Sequence, residues 1–81
     1  MQDNIKKDLH KFISDITKIN TEKIAETNDL RDLGMDSVSI LDLIDKIERR
    51  LNITIENQEL EDFAKLDQAI ELIEKRLNEK T

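Results

Sequence analysis

Apolar side chains recur at steps of three and four positions in the first part of the chain, with charged and polar residues between them. This spacing is typical of an amphipathic helix that buries one face. Asp3 stands at the start of the segment, where a helix N-cap is expected. We therefore predict a first helix from Asp3 to Lys18. Its apolar positions are Ile5, Leu9, Phe12, Ile13 and Ile16.

A second stretch with the same spacing lies in the middle of the chain. Asp36 comes directly before it, and aspartate is among the preferred N-cap residues. The predicted second helix therefore begins at or beside Ser37. Its apolar face consists of Ile40, Leu43, Ile44, Ile47 and Leu51.

Two more helices are predicted in the last third of the chain. Leu60 and Phe63 are three positions apart and fit a short third helix. Residues 53–55 alternate as a strand does, but no second strand pattern exists to pair with them, so we interpret them as a connector. The final helix is longer. Its apolar positions are Leu66, Ala69, Ile70, Ile73 and Leu77.

The segment 19–36 shows no helical period, and polar residues interrupt its few apolar positions. We predict a long ordered loop that is pinned onto the core and positions Ser37, because a loop of this length is uncommon without a function. The pinning residues are Ile24, Leu30 and Leu33. The elements together predict an all-α fold, a four-helix bundle with a long first loop and a short third helix, in a single domain of residues 1–81.

Composition limits the size and the partners of this domain. With 81 residues, 37% of them apolar, and two phenylalanines, the chain suffices for one thin aliphatic core. Its net charge of −6 disfavours nucleic acids and anionic membranes and favours basic patches on other proteins. The chain has no cysteine and no apolar run near the roughly 20 residues that cross a bilayer. We expect a cytoplasmic monomer without a membrane partner.

Just before the second helix the chain reads Gly34-Met35-Asp36-Ser37-Val38. This segment resembles the phosphopantetheine attachment site of acyl carrier proteins, in which a glycine, a variable residue, an aspartate and the modified serine precede a helix. The resemblance covers nearly the whole chain, because the long loop and the short third helix occur in the expected order. It implies a fold of acyl-carrier type with 4'-phosphopantetheine, taken from coenzyme A, attached to Ser37. Gly34, Asp36 and Val38 complete the motif, and Val38 replaces the usual leucine.

The resemblance also implies a function, that of a freestanding, non-catalytic carrier. A phosphopantetheinyl transferase would modify the serine, and acyl-loading and acyl-processing enzymes would then use a thioester on the arm. The cargo stays open among fatty acids, polyketide or other specialised acyl units, and amino acids. The alternative function is a small helical adaptor for protein–protein contacts. Asp36 and Ser37 would then only cap a helix.

Physical reasoning supports this attachment site independently of the resemblance. A helix N-terminus carries unpaired N–H groups and partial positive charge, which stabilise a phosphodiester. Gly34 allows a backbone bend that other residues resist, so the loop can close onto the helix. We expect Gly34→Ala to disturb the presentation of Ser37 more than the stability of the fold.

The resemblance further implies that the second helix docks onto partner enzymes. The residues implied are Asp36, Val38, Leu41, Asp42, Asp45 and Glu48. Two alternatives stay open: Asp42 with Lys46, and Asp45 with Arg49, have the spacing of intrahelical ion pairs, and Val38 and Leu41 could belong to the edge of the core. Ser39 and Arg49 interrupt the acidic row that several fatty-acid carriers show, which indicates a different set of partners.

Other kinds of chemistry lack the residues they need. The single histidine, His10, has no sequence relation to Ser37 that would make it a catalytic base, and we expect it to face solvent. The acidic residues before the second helix lack the spacing and the central glycine of a calcium loop. There is no glycine-rich phosphate loop. The sequence therefore predicts neither an enzyme nor a metal site.

Overall fold

The computed structural model describes residues 2–80, and their side chains except those of Gln2, Asp3, Asp62 and Lys80. These residues form four α-helices: α1, Gln2–Thr17; α2, Thr21–Ala25; α3, Ser37–Leu51; and α4, Leu66–Lys80. Two 3-10 helices, Leu30–Leu33 and Asn57–Ala64, lie between them. Residues 2–80 contain no strand, only an isolated bridge between Asp29 and Lys65. The predicted all-α fold is confirmed.

Helix α1 matches the prediction to within a residue at each end. It begins at Gln2, so Asp3 lies inside the first turn and its prediction as the N-cap was wrong. Gln2 is a fair helix former, which lets the helical backbone continue past the expected start. The helix ends at Thr17 because Lys18 takes a left-handed conformation with φ of 66°, a common way to end a helix.

The segment between α1 and α3 is more regular than predicted. Asn20 caps α2 by accepting a hydrogen bond from the Glu22 N–H at 2.9 Å, and Ile24 is fully buried. Farther along, the Asp29 carboxylate accepts from the Arg31 N–H at 2.9 Å and starts the first 3-10 helix. The predicted ordered loop thus contains two short helices that the sequence analysis did not identify, because helices of one turn are too short to show a hydrophobic period. The predicted pinning is confirmed: Ile24, Leu30 and Leu33 are buried.

The connector and the second 3-10 helix are tied to the rest of the fold by side chains. Ile53 and Ile55 are buried, and the Ile55 N–H donates to the Glu48 carboxylate at 3.0 Å. Glu56 and Glu59 form a reciprocal capping box at the start of the 3-10 helix. Arg76 of α4 pairs with Glu59. This predicted third helix is therefore 3-10 in form.

Helix α4 receives its N-terminal cap from a distant part of the chain. The Asp67 N–H donates to the Asn28 side-chain oxygen at 3.0 Å, and the Leu66 N–H donates to the Asn28 carbonyl at 2.8 Å. The Asn28 amide in turn donates to the Asp67 carboxylate at 3.1 Å. Asn28 thus joins the segment that leads to Ser37 to the start of the last helix.

The core is one aliphatic cluster with a single phenylalanine at full burial. Phe63 is 0% exposed and comes from the second 3-10 helix. In α4, Leu72 is buried although the predicted stripe omitted it, whereas Ile70 is only half-buried. No helix among residues 2–80 is long and apolar enough to cross a membrane. The buried core residues of the three long helices are Ile5, Leu9, Ile13, Leu43, Ile44, Ile47, Leu66, Ala69, Leu72 and Ile73.

His10 does not face solvent as predicted. Its side chain is half-buried, and its Nε2 atom is buried without a hydrogen-bond partner among the described residues. It borders a pocket of about 190 Å³ whose charged residues are Lys6 of α1, Glu26 of the loop and Asp67 of α4. Burial, and secondarily the charge of Lys6, lowers the pKa of His10. The neutral imidazole therefore fits the folded state better than the imidazolium does.

Lowering the pH from about 7.5 to about 5.5 is expected to destabilise the protein through His10. The pKa of His10 in the fold lies below the 6.5 of the free side chain, so the unfolded chain binds the proton more tightly. The contribution of neutral His10 to the free energy of unfolding is fully present above pH 6.5. It declines as the pH falls towards the pKa of His10 in the folded state. Urea unfolding at both pH values measures this loss. His10→Gln should show a smaller loss, and equal losses in both proteins would contradict the assignment.

Candidate functional site

Ser37 is the first residue of α3, as predicted. Its side chain is exposed, and within residues 2–80 its hydroxyl has no hydrogen-bond partner. The first turn of a helix presents backbone N–H groups that lack intrahelical acceptors. The hydroxyl is therefore open to reagents from solvent and stands at the positive end of the helix dipole.

Asp36 is the N-cap that the sequence predicted. Its backbone is extended, with φ −100° and ψ −174°, and its carboxylate accepts a hydrogen bond from the Ser39 N–H at 2.9 Å. This backbone hydrogen bond, and then one from the Ser39 hydroxyl, lowers the pKa of the Asp36 carboxyl below its ordinary value. The ionised carboxylate thus fixes where α3 begins and leaves Ser37 at its tip.

Gly34 makes the bend that the sequence analysis expected. It ends the first 3-10 helix in the left-handed region, with φ 81° and ψ 15°. Its N–H donates to the Arg31 carbonyl at 3.0 Å, and the Met35 N–H donates to the Leu30 carbonyl at 3.3 Å. Met35 is 3% exposed and anchors the chain to the core between this bend and Asp36. The bend and this anchor together determine the path of the backbone to Ser37.

Replacing Gly34 with alanine is expected to lower the free energy of unfolding by about 1 kcal/mol, the conformational cost of a left-handed residue with a Cβ atom. A Cβ atom here would meet nothing within 4 Å, so no steric clash adds to this cost. The bend at Gly34 sets the path of the backbone to Ser37, so we expect a larger loss in the rate of modification of Ser37. Denaturant unfolding and modification kinetics test both effects. Gly34→Asn should cost less, since asparagine tolerates this conformation.

Val38 and Leu41 lie on the surface beside Ser37. Val38 is 74% exposed and Leu41 is 51% exposed, and they are the large apolar side chains that stand out at the described surface. The alternative that they form the edge of the core was therefore wrong. Their spacing of three places both on one face of α3. They form an apolar contact surface next to the hydroxyl.

The acidic residues of α3 divide into two groups. Asp42 and Asp45 are exposed and continue the face of Val38 and Leu41, because the four positions follow at steps of three and one. We call these four residues the α3 stripe. Glu48, in contrast, is half-buried and accepts the hydrogen bond of the connector. Asp42 and Asp45 therefore lie on the same exposed face of α3 as the two apolar residues. Glu48 instead helps to hold the connector in place.

Basic residues follow the acidic ones along α3. Arg49 pairs with Asp45 at 3.3 Å, which confirms one of the two intrahelical pairs considered from the sequence. Asp42 and Lys46 are not within ion-pair distance in the described part of the chain. Arg50 lies 3.9 Å from Asp8 of α1. The charge of the helix surface therefore changes from negative near Ser37 to mixed at the far end.

An apolar groove starts at Ser37 and runs between α3 and the second 3-10 helix. It has a volume of about 280 Å³. The sequence analysis missed it, because periodicity places Leu60 in a helix but does not say which other helix faces it. No spacing in the sequence marks the groove, because residues four positions apart, such as Leu60 and Ala64, do not share one face of a 3-10 helix. The groove is lined by Ser37, Ile40, Leu41, Leu60, Glu61 and Ala64.

Comparison with known proteins agrees with this geometry. The family described as "Phosphopantetheine attachment site" matches residues 7–73. An acyl carrier protein of Cylindrotheca sp. (strain N1) is 33% identical over 81 residues, which are 99% of this chain and 100% of the relative. An acyl carrier protein of Amoebophilus asiaticus (strain 5a2) is 41% identical over 59 residues, 73% of this chain and 74% of the relative.

A more distant match has the same family name. An acyl carrier protein homolog of Mycoplasmopsis pulmonis (strain UAB CTIP) is 28% identical over 65 residues, 80% of this chain and 89% of the relative. The family match covers α3 and the greater part of the fold around it. The chain therefore belongs to the acyl carrier protein family and is a carrier with a covalently attached 4'-phosphopantetheine group, not an enzyme.

Proposed function

We propose that Ser37 is the residue that bears 4'-phosphopantetheine, and that the thiol of this group holds an acyl or aminoacyl cargo as a thioester. The observation that carries the proposal is the exposed, unpartnered Ser37 hydroxyl at the first position of α3. It lies inside the matched family region. Ser39, the other serine nearby, is half-buried and its N–H donates to the Asp36 carboxylate, so it is the poorer candidate.

The residues around Ser37 fit a phosphodiester. The N-terminal end of α3 favours negative charge, and the Asp36 cap leaves the Ser37 hydroxyl uncovered. In the modification, Ser37 Oγ forms a bond to a phosphorus of coenzyme A on a phosphopantetheinyl transferase. The pyrophosphate bond breaks, the adenosine bisphosphate part leaves, and the hydroxyl proton passes to solvent. No oxidant or reductant is required.

The α3 stripe together with Asp36 supplies a docking surface for the transferase and for acyl-loading and acyl-processing enzymes. Exposed apolar residues flanked by charges of one sign favour a partner with an apolar pocket and a basic rim. Glu48 adds negative charge at the far end of this surface while it holds the connector. The net charge of −6 argues against nucleic acid and anionic membranes as partners.

The order of charges along α3 favours partners of a specialised pathway over those of general fatty acid synthesis. Arg49 and Arg50 are exposed, and their ion pairs with Asp45 and Asp8 lie at the surface, where such pairs contribute little. The carboxylates of a partner protein can therefore take the place of Asp45 and Asp8 in pairing with these two arginines. We propose partners whose surface is basic near the arm and acidic near the end of α3.

Intact-protein mass spectrometry tests the function directly. The protein is incubated with coenzyme A, magnesium and a broad-specificity phosphopantetheinyl transferase, and the peptide that contains Ser37 and Ser39 is then fragmented. We expect one phosphopantetheine group per chain, located on Ser37. A group on Ser39 would overturn the assignment of the site. No addition by several such transferases, on protein shown to be folded, would favour the adaptor function.

A further inference from the structure

The basic residues of the chain are concentrated near its beginning. Residues 1–23 contain five lysines and four acidic residues, whereas residues 24–81 contain eight basic and fifteen acidic residues. Lys7 and Lys11 of α1 are exposed, and their spacing of four places them on one face of the helix. Leu9, on the opposite side, is buried. Helix α1 therefore presents a positive outer face on a protein that is negative as a whole.

The far end of α3 adds two more cations beside this face. The Nε atom of Arg50 lies 3.9 Å from the carboxylate of Asp8. Asp8 is next to Lys7 in the chain and one helical turn before Lys11, so the arginine lies close to both lysines. Lys46, one turn before Arg50, is on the same side of α3. We call Lys7, Lys11, Lys46 and Arg50 the α1–α3 basic surface.

These cations have few partners within the protein itself. Lys7, Lys11 and Lys46 form no ion pair with a described carboxylate. Asp8 lies near the limit of ion-pair distance from Arg50, and the arginine side chain is 65% exposed. Ion pairs exposed to solvent contribute little to stability. The positive charge of the α1–α3 basic surface is therefore available to a binding partner.

We propose that the α1–α3 basic surface is a second docking surface, and that it binds an acidic patch on another protein. The proposal goes beyond the carrier function, because it requires neither the arm nor the α3 stripe. Opposite charges on two proteins raise the rate of encounter and fix the orientation of the complex. Asp8 and Asp15 interrupt the surface, whereas the basic clusters that bind anionic membranes are uninterrupted runs of lysine and arginine.

The second docking surface lies on another side of α3 than the α3 stripe does. Arg50 is five positions after Asp45, which is about 140° around the helix. A partner with a basic rim on the stripe therefore leaves Arg50 and the lysines of α1 open. The carrier can then meet proteins of opposite charge on two different sides.

A titration followed by nuclear magnetic resonance tests the second docking surface on the full chain. The ¹⁵N-labelled protein receives a synthetic peptide of alternating glutamate and glycine, and a peptide of alternating glutamine and glycine is the neutral control. We expect saturable shifts of the amide signals of residues 7–11 and 46–50 with the acidic peptide only. Raising the salt from about 0.01 M to about 0.1 M, which shortens the Debye length from about 30 Å to about 10 Å, should weaken binding about fivefold or more.

Two charge reversals separate a local surface from the effect of net charge. Lys11→Glu and Lys75→Glu change the net charge equally, but Lys75 is an exposed residue of α4 outside the surface. Lys11→Glu should weaken binding of the acidic peptide about fivefold or more, and Lys75→Glu should change it by less than about twofold. Circular dichroism of both variants verifies the fold.

Four results would overturn the proposal. The acidic peptide could cause no saturable shift, its shifts could lie outside residues 7–11 and 46–50, or both variants could lose binding equally. The fourth is that the wild type sediments with vesicles of phosphatidylserine and phosphatidylcholine and Lys11→Glu does not, which would assign the surface to membranes. None of these measurements involves Ser37, so a failure of the attachment to Ser37 is detected separately, by mass spectrometry.

Discussion

Replacing Ser37 with alanine is expected to abolish the addition of phosphopantetheine completely. The reaction requires an oxygen nucleophile at the tip of α3, and the substitution removes the only atom that forms the new bond. The Ser37 side chain is exposed and its hydroxyl has no partner in the described residues, so the free energy of unfolding should change by less than about 0.5 kcal/mol. Intact mass and urea unfolding of the same preparation measure both quantities.

Ser39→Ala is the matched control for this prediction. Ser39 lies two positions away from Ser37. Its backbone N–H still donates to the Asp36 carboxylate after the substitution, so the N-cap of α3 is kept. This variant should therefore receive the full modification. An adduct on Ser37→Ala, or the loss of the adduct in Ser39→Ala with the fold intact, would show that the reactive hydroxyl belongs to another residue.

Replacing Phe63 with alanine is expected to lower the free energy of unfolding by about 3 to 5 kcal/mol, the usual cost of removing a buried aromatic ring. Phe63 is 0% exposed and is the largest fully buried side chain described. A chain of this length has a total stability of only about 4 to 12 kcal/mol. We therefore expect a markedly lower unfolding midpoint in urea.

Leu41→Ala provides the comparison for Phe63, since it also shortens a large apolar side chain. Leu41 is 51% exposed on α3, so this change should cost about 0.5 kcal/mol or less. Its effect should instead appear as slower modification by the transferase, because Leu41 belongs to the proposed docking surface. A loss below about 1 kcal/mol for Phe63→Ala would show that the second 3-10 helix is not packed against the core.

These two predictions concern separate parts of the molecule that the fold connects. Phe63 fixes the second 3-10 helix to the core, and the same helix carries Leu60 and Glu61 to the groove beside Ser37. Asn28 holds the incoming segment to α4 at the other end. Ser37 therefore stands between two elements whose positions depend on tertiary contacts, although the cap at Asp36 that precedes it is local.

The three long helices could be predicted from the sequence because their determinants are local. A repeat of apolar residues at steps of three and four sets each buried face, and Asp36 caps α3 through an N–H three residues away. The left-handed turn at Gly34 also follows from the residue itself, since glycine adopts positive φ without strain. These local features are sufficient to single out Ser37 as the candidate attachment residue.

The tertiary structure decided which surfaces meet and which stay open. The cap of α4 comes from Asn28, 39 positions before Asp67, and no local pattern encodes a contact at that distance. Whether Val38 and Leu41 are buried, which way His10 points, and how α3 faces the 3-10 helix depend on the packing of whole elements. The sequence by itself determined the three long helices and the place of Ser37 at the start of α3, because these depend on neighbours along the chain. The groove and the exposed stripe depend on neighbours in space.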